Sequence, residues 1–193
     1  MKIVVLKFGG TSVGTIKNIK KVADIIANYK KNNYRVIVVS SAMSGVTHEL
    51  IKKSLEISDN FSDTEHDVLV SSGEQVACSL IAGRLIKKGI KSRSWLAWQI
   101  PILTEGLHKH SRINNVNRNK IIKYVKEGGI PIITGFQGVN NQSRIATIGR
   151  GGSDASAIMI AKFFKAQRCI IYTDVEGIYT TDPNKLNKAK KIK

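Results

Sequence analysis

The sequence predicts a three-layer α/β domain, an αβα sandwich around a mainly parallel central sheet, and three observations carry that prediction. Short apolar runs with little polar alternation, at residues 3–6, 35–40, 130–134 and 169–172, fit strands buried on both faces, as in parallel sheets. Segments of helical period lie between them, so the connections are right-handed crossovers. Turns rich in glycine and hydroxyl residues follow several of these strands, at the ends where ligands of open α/β sheets gather.

The first strand runs into Lys7-Phe8-Gly9-Gly10-Thr11-Ser12. Gly9 and Gly10 permit close backbone approach, so several N–H groups can face one anion. Lys7 adds a mobile positive charge at the mouth, which suits a transferring phosphoryl group. The plainer alternative is a strand-to-helix turn whose lysine solvates the strand end. Ile16, Ile19, Val22, Ala23, Ile25 and Ile26 then recur at helical spacing, giving an amphipathic helix to about Tyr29. After the strand at 35–40 come a small-residue loop at 41–45, a helix at 46–57 and a polar break at 58–63.

Residues 64–88 are again helical in pattern, but Ser71-Ser72-Gly73-Glu74 interrupts them. Two helices meeting at Gly73 are expected, with Glu74 opening the second and Val76, Leu80, Ile81, Leu85 and Ile86 as its apolar stripe. Residues 92–99 read as a strand, 101–114 as irregular and polar, and 116–126 as a short basic helix ended by Gly128-Gly129. Pro131 is tolerated only near the start of the next strand. Gly135-Phe136-Gln137-Gly138 breaks that strand, 143–148 suggests a hairpin arm, and Gly149-Arg150-Gly151-Gly152-Ser153-Asp154 leads into a helix at 155–164.

A chain of 193 residues, 42% apolar and 23% charged, suits a single globular domain over 1–193. The net charge of +17, from 31 basic against 14 acidic residues, is the one value that points toward nucleic acid. Its distribution argues otherwise, because the lysines spread over helix faces without the stacking platforms of a single-strand binder. Only Lys185, Lys188, Lys190, Lys191 and Lys193 crowd together. No run reaches membrane-span length and no signal-like block opens the chain, so a soluble, cytoplasmic protein without a membrane partner is expected, with Cys78 and Cys169 reduced. His108 and His110 form a lone pair better read as a solvated loop than as a metal site, and no metal-binding residue is assigned.

The chemistry concentrates in the strand-end loops. Arg150, between glycines, suits a bidentate contact with a carboxylate or phosphate. Ser153 and Asp154 stand at a helix start, where unpaired N–H groups favour an anion, although either also suits an N-cap. Glu74 suits an amine or a lysine, or is an ordinary acid in a first helical turn. The P-loop pattern is missing and neither glycine stretch spells the dinucleotide fingerprint.

Six motifs follow one another along the chain: residues 7–12, Ser40-Ser41-Ala42-Met43-Ser44-Gly45-Val46-Thr47, Ser72-Gly73-Glu74, Gly135-Phe136-Gln137-Gly138, 149–154, and Tyr172-Thr173-Asp174 through Thr181-Asp182-Pro183. Together they resemble the amino-acid kinase family. The spelling of 149–154 and Thr47 after Ser-Gly-Val favour its aspartate-phosphorylating members over those acting on glutamate, acetylglutamate, uridylate or carbamate. The resemblance implies transfer of the γ-phosphoryl group of ATP to the side-chain carboxylate of L-aspartate, giving 4-phospho-L-aspartate, the entry to lysine, threonine and methionine synthesis. Mg²⁺ would ride on the ATP phosphates. By the same resemblance Lys7 stabilises the γ-phosphoryl group, Asp154 positions Lys7, and Gly9, Gly10 and Ser12 line the phosphate path. Thr47, Glu74, Arg150 and Ser153 hold L-aspartate, with Arg150 on a carboxylate and Glu74 on the ammonium. Thr173, Asp174, Tyr179 and Asp182 border the nucleotide.

Asn184 departs from the arginine that commonly follows Asp-Pro in the family. The family's kinase domain also continues beyond the counterpart of Lys193 and is followed by regulatory ACT domains. The expectation is therefore a C-terminally truncated domain with weak catalysis, poor ATP affinity and an open sheet edge that favours a homo-oligomer. A non-catalytic remnant that keeps the fold, and a basic nucleic-acid binder, are the competing readings.

Overall fold

The computed structural model describes residues 2–149 and 151–173. In chain order these form β1 (Ile3–Phe8), α1 (Ile16–Lys31), β2 (Arg35–Ser40), α2 (Val46–Ile57), α3 (Asp63–Lys87), β3 (Ser92–Trp95), β4 (Ile102–Glu105), β5 (Arg112–Val116), α4 (Asn119–Lys126), β6 (Ile130–Thr134), β7 (Gln137–Val139), β8 (Ile145–Thr147), α5 (Gly152–Phe163) and β9 (Arg168–Tyr172). The central sheet is parallel throughout, in the order β3-β6-β2-β1-β9.

Strand alternation sorts the core into two halves. Val4, Leu6 and Phe8 of β1 face α1 and α3, where Ile19, Val22, Ile26, Cys78, Ile81 and Leu85 cover them. Ile3 and Val5 face the opposite layer, built from Ile121 and Val125 of α4 and Ala157 and Ile160 of α5. Both faces are thus closed by helices, which is why these strands are apolar runs rather than alternating ones. Helix α1 starts where the Thr15 hydroxyl accepts the Asn18 N–H at 3.1 Å, a cap worth about 1 kcal/mol.

A second, four-stranded sheet in the order β5-β4-β7-β8 sits beside the central one. Its Ile102, Ile113, Val116 and Val139 join the α4–α5 half of the core. The segment 101–114, expected to be irregular, therefore supplies β4 and the first part of β5, paired antiparallel with a register shift between Leu103 and Thr104. The hairpin arm expected at 143–148 pairs as β8 with β7. Residues 97–99 form a 3₁₀ turn instead of continuing β3, and Trp98 is exposed. Helix α4 begins only at Asn119.

The largest difference from expectation is α3, one helix of 25 residues that runs straight through Gly73. Glycine stands there for space and not as a break. A Cβ would lie 2.8 Å from the Ala42 Cβ and 3.2 Å from Val46 Cγ1, so the loop after β2 packs directly on the helix backbone. The buried stripe of α3 is Ala77, Cys78, Ile81, Ala82 and Leu85, while Val76 and Ile86 are exposed. Among the described residues no helix is long and apolar enough to cross a membrane.

Two glycines of α3 should therefore respond in opposite directions. Gly73→Ala forces the Ala42 loop away and should lower stability by about 1–3 kcal/mol despite the better helix former. Gly83 is exposed with open space around it, so Gly83→Ala should add about 0.5–1 kcal/mol. Urea denaturation of both variants beside the parent chain measures the signs.

Candidate active site

At the carboxyl ends of the central strands the loop after β2, the starts of α2 and α5 and the middle of α3 enclose a cleft of about 360 Å³. Lys7 enters it from β1. Alternation places Lys7 on the α5 side with Ile3 and Val5, and it is buried. Its Nζ lies 2.6 Å from Asp154 Oδ1 in the first turn of α5, where a carboxylate also complements the helix dipole. Lys7 is thus pinned, not the mobile charge expected from its place in the motif. The N-cap of α5 is Gly151, with φ +76 and no side-chain cap bond, so neither Ser153 nor Asp154 serves as the cap. Both line the cleft.

The opposite wall carries Glu74, in the middle of α3 and buried, not in a first helical turn. Its Oε1 accepts the Ala42 N–H at 3.0 Å. Its Oε2 has no hydrogen-bond partner among the described residues. Burial pushes this carboxyl up to about 7, with the Ala42 N–H pulling the other way. One buried oxygen is therefore left for a donor that enters the cleft. Thr47, one residue into α2, and Gly10 complete the set of expected residues that the structure brings together.

Other expected residues stand elsewhere. Gly9 donates its N–H to the Tyr172 carbonyl at 3.1 Å, which ties the first turn to β9 and leaves that N–H spoken for. Ser12 lines a separate hollow of about 200 Å³ beside Phe8 and Tyr172. Thr173 follows β9 and is exposed. Arg150, Asp174, Tyr179, Asp182 and the Asn184 departure lie outside the described residues.

The structure also adds residues. Phe136 lines the cleft with φ +66, a backbone geometry uncommon for a side-chain-bearing residue, and its N–H donates to Ser156 Oγ at 3.0 Å. The Gly-Phe-Gln-Gly spelling marked the strand break but gave no reason to single out the phenylalanine. His108 is not a solvated loop residue, because its Nδ1 sits 2.7 Å from Oδ2 of fully buried Asp67.

Comparison with known sequences gives this cleft a lineage. The sequence profile of the amino acid kinase family matches residues 2–193. The chain belongs to the amino acid kinase family. Within that family, an aspartokinase of Rickettsia conorii is 49% identical over 196 residues, an alignment covering 100% of this chain and 49% of the relative. An aspartokinase of Geobacillus stearothermophilus is 46% identical over 193 residues, covering 100% of this chain and 47% of its own. The structure of E. coli aspartokinase III in complex with aspartate and ADP matches with a TM-score of 0.82 and 28% identity, over 99% of this chain and 53% of that one. The chain spans about half the length of the curated relatives it matches.

Glu74 yields a stability prediction whose sign is fixed. Its carboxyl is raised from 4.5 when unfolded to about 7 when folded, so its favourable contribution is complete below the unfolded value and is lost as pH rises through the folded one. Glu74→Gln keeps an acceptor for the Ala42 N–H and removes the buried charge. It should match the parent near pH 4.5 and exceed it by up to about 3 kcal/mol at pH 8, read from thermal melts across that range.

Proposed function

We propose that this chain performs aspartokinase chemistry: transfer of the γ-phosphoryl group of ATP to the side-chain carboxylate of L-aspartate, forming 4-phospho-L-aspartate. The observation that carries the reading is the pairing of opposite charges on facing walls, Lys7 held by Asp154 on one side and Glu74 buried on the other. Identity to aspartokinases of close to half of all positions supports it.

The division of labour follows from the charges. A substrate ammonium pairs with ionised Glu74, and Thr47 and Ser153 supply hydroxyls beside it. Arg150 is assigned to a substrate carboxylate by its place in the motif. Lys7 faces the transferring phosphoryl group, whose charge spreads over its oxygens, and Asp154 fixes the lysine. The acceptor is a carboxylate already ionised at neutral pH, so no general base is required. The described lining of the cleft contains no histidine. Positioning and charge neutralisation do the work.

The nucleotide side is read from Gly9, Gly10, Ser12, Thr173, Asp174, Tyr179 and Asp182. Mg²⁺ carried on the ATP phosphates would supply charge neutralisation there. Besides Glu74, Asp154 is the carboxylate in the described lining, which fits a metal carried by the nucleotide rather than caged by protein.

The direct test follows ADP release with and without L-aspartate and captures the acyl phosphate with hydroxylamine. Aspartate-dependent ADP release matched by hydroxamate is the expected result; ADP release indifferent to aspartate would remove the proposal. The pH dependence is also fixed. Because Glu74 must be ionised to hold an ammonium and its carboxyl lies near 7, the KM for aspartate should rise as pH falls below about 7, with the KM for ATP far less affected. Initial rates between pH 6 and 8.5 show whether it does, and a flat profile would detach Glu74 from the ammonium.

A further inference from the structure

Helix α3 carries more of the site than Glu74. On the same face, three and seven residues earlier, stand Ser71 and Asp67. All three positions make contacts off the helix: Glu74 with the Ala42 N–H, the Ser71 carbonyl with Gln137 Nε2 at 2.9 Å, and Asp67 with β8 and the loop after β4. Asp67 is fully buried, and both of its oxygens are occupied. Oδ1 accepts the Thr147 hydroxyl at 2.6 Å. Oδ2 accepts the Thr147 N–H at 2.9 Å and the Lys109 N–H at 3.1 Å, with His108 Nδ1 at 2.7 Å. His66 Nδ1 stands farther off, 3.6 Å from Oδ1.

The contacts continue from Thr147 toward the cleft. Thr147 pairs with Gln137 across β7 and β8, so both strands of this hairpin are tied to α3. The next residue, Ile148, donates its N–H to the Phe136 carbonyl at 2.8 Å. Gly152, the first residue of α5, packs so closely on Phe136 and Ile148 that a Cβ there would lie 2.8 and 2.9 Å from them. Ser153 and Asp154 follow directly. One helix thus holds Glu74 and, through Asp67 and Thr147, the platform on which the start of α5 rests.

We propose that Asp67 is a positioning residue that clamps Thr147 to α3 and so sets the spacing between Glu74 and the Ser153–Asp154 turn, fixing the fit of the amino-acid substrate between them. The substrate part rests on reading the cleft as the aspartate site. The clamp itself does not.

The test uses the full chain with Asp67→Asn, which keeps shape and loses the charge, and with Thr147→Val and Thr147→Ser. Amide hydrogen exchange is read at Lys109, Thr147, Ile148 and 151–154, and L-aspartate affinity by calorimetry. Asp67→Asn and Thr147→Val should speed exchange at those amides and weaken aspartate by roughly tenfold, while ATP affinity changes less than about twofold and Thr147→Ser behaves as the parent. Leu85→Ala, destabilising the far side of α3, should leave aspartate affinity within about twofold, separating positioning from general loss of stability. Unchanged exchange in Asp67→Asn, or aspartate affinity unchanged beside faster exchange, would overturn the proposal. If Asp67→Asn fails to fold, Thr147→Val decides by the same readouts. Should the parent chain bind no aspartate, the reading of the cleft fails, and exchange alone decides the clamp.

Discussion

An ammonium group taken out of water costs several kcal/mol unless an opposite charge meets it, and β1 carries such a group one residue from its end. The other five residues of that strand are apolar and buried, and Lys7 itself is buried where it enters the cleft. Alternation points it at α5, and Asp154 answers from the first turn of that helix at 2.6 Å. This pair ties β1 to the first turn of α5, beside the close packing of Gly152 on Phe136 and Ile148. The turn after β6 also comes close to α5: a Cβ at Gly135 would lie 3.1 Å from both the Ser153 Cβ and the Ser40 carbonyl oxygen, tighter than ordinary contact.

Glu74 is the second constraint and has the opposite character. Lys7 is paired within the protein, whereas Glu74 keeps one oxygen without a hydrogen-bond partner among the described residues and a carboxyl raised by burial. An unsatisfied buried acid is costly in the free chain and valuable when a cation arrives, because the same low dielectric strengthens the new pair. Among the described residues the cleft therefore has one wall whose charges pair within the protein and one whose buried acid is open to a donor. That asymmetry suits the proposed acceptor, whose ammonium would meet Glu74 while its carboxylate meets, at the Lys7 end, the phosphoryl group that ATP delivers.

The parallel sheet was legible because its strands are buried on both faces and so written as apolar runs; β2 and α2 fall on the residues expected of them. The small sheet was not, because β4 buries only alternate residues and β5 only Ile113 and Val116, leaving Leu103, Glu105, Asn114 and Asn115 exposed. Gly73 misled for a physical reason: glycine read as a helix break also permits a loop to touch a helix, and periodicity alone does not separate the two. At the site, the motifs marked Lys7, Glu74, Ser153 and Asp154, but burial decided what each one does. Asp67 carried one faint signal, an acid seven residues before Glu74 on the same helical face, which becomes meaningful only once Thr147, 80 residues away, is seen to meet it.

In the proposed reaction Lys7 and Asp154 act as one unit on the transferring phosphoryl group. Aspartate-dependent ADP release by Lys7→Met, Asp154→Asn and the double variant measures it most directly, since groups that act together are strongly non-additive. Lys7→Met should lose about 10²-fold or more, with little further loss in the double variant. Losses that multiply, or turnover by Lys7→Met equal to that of the parent chain, would contradict it.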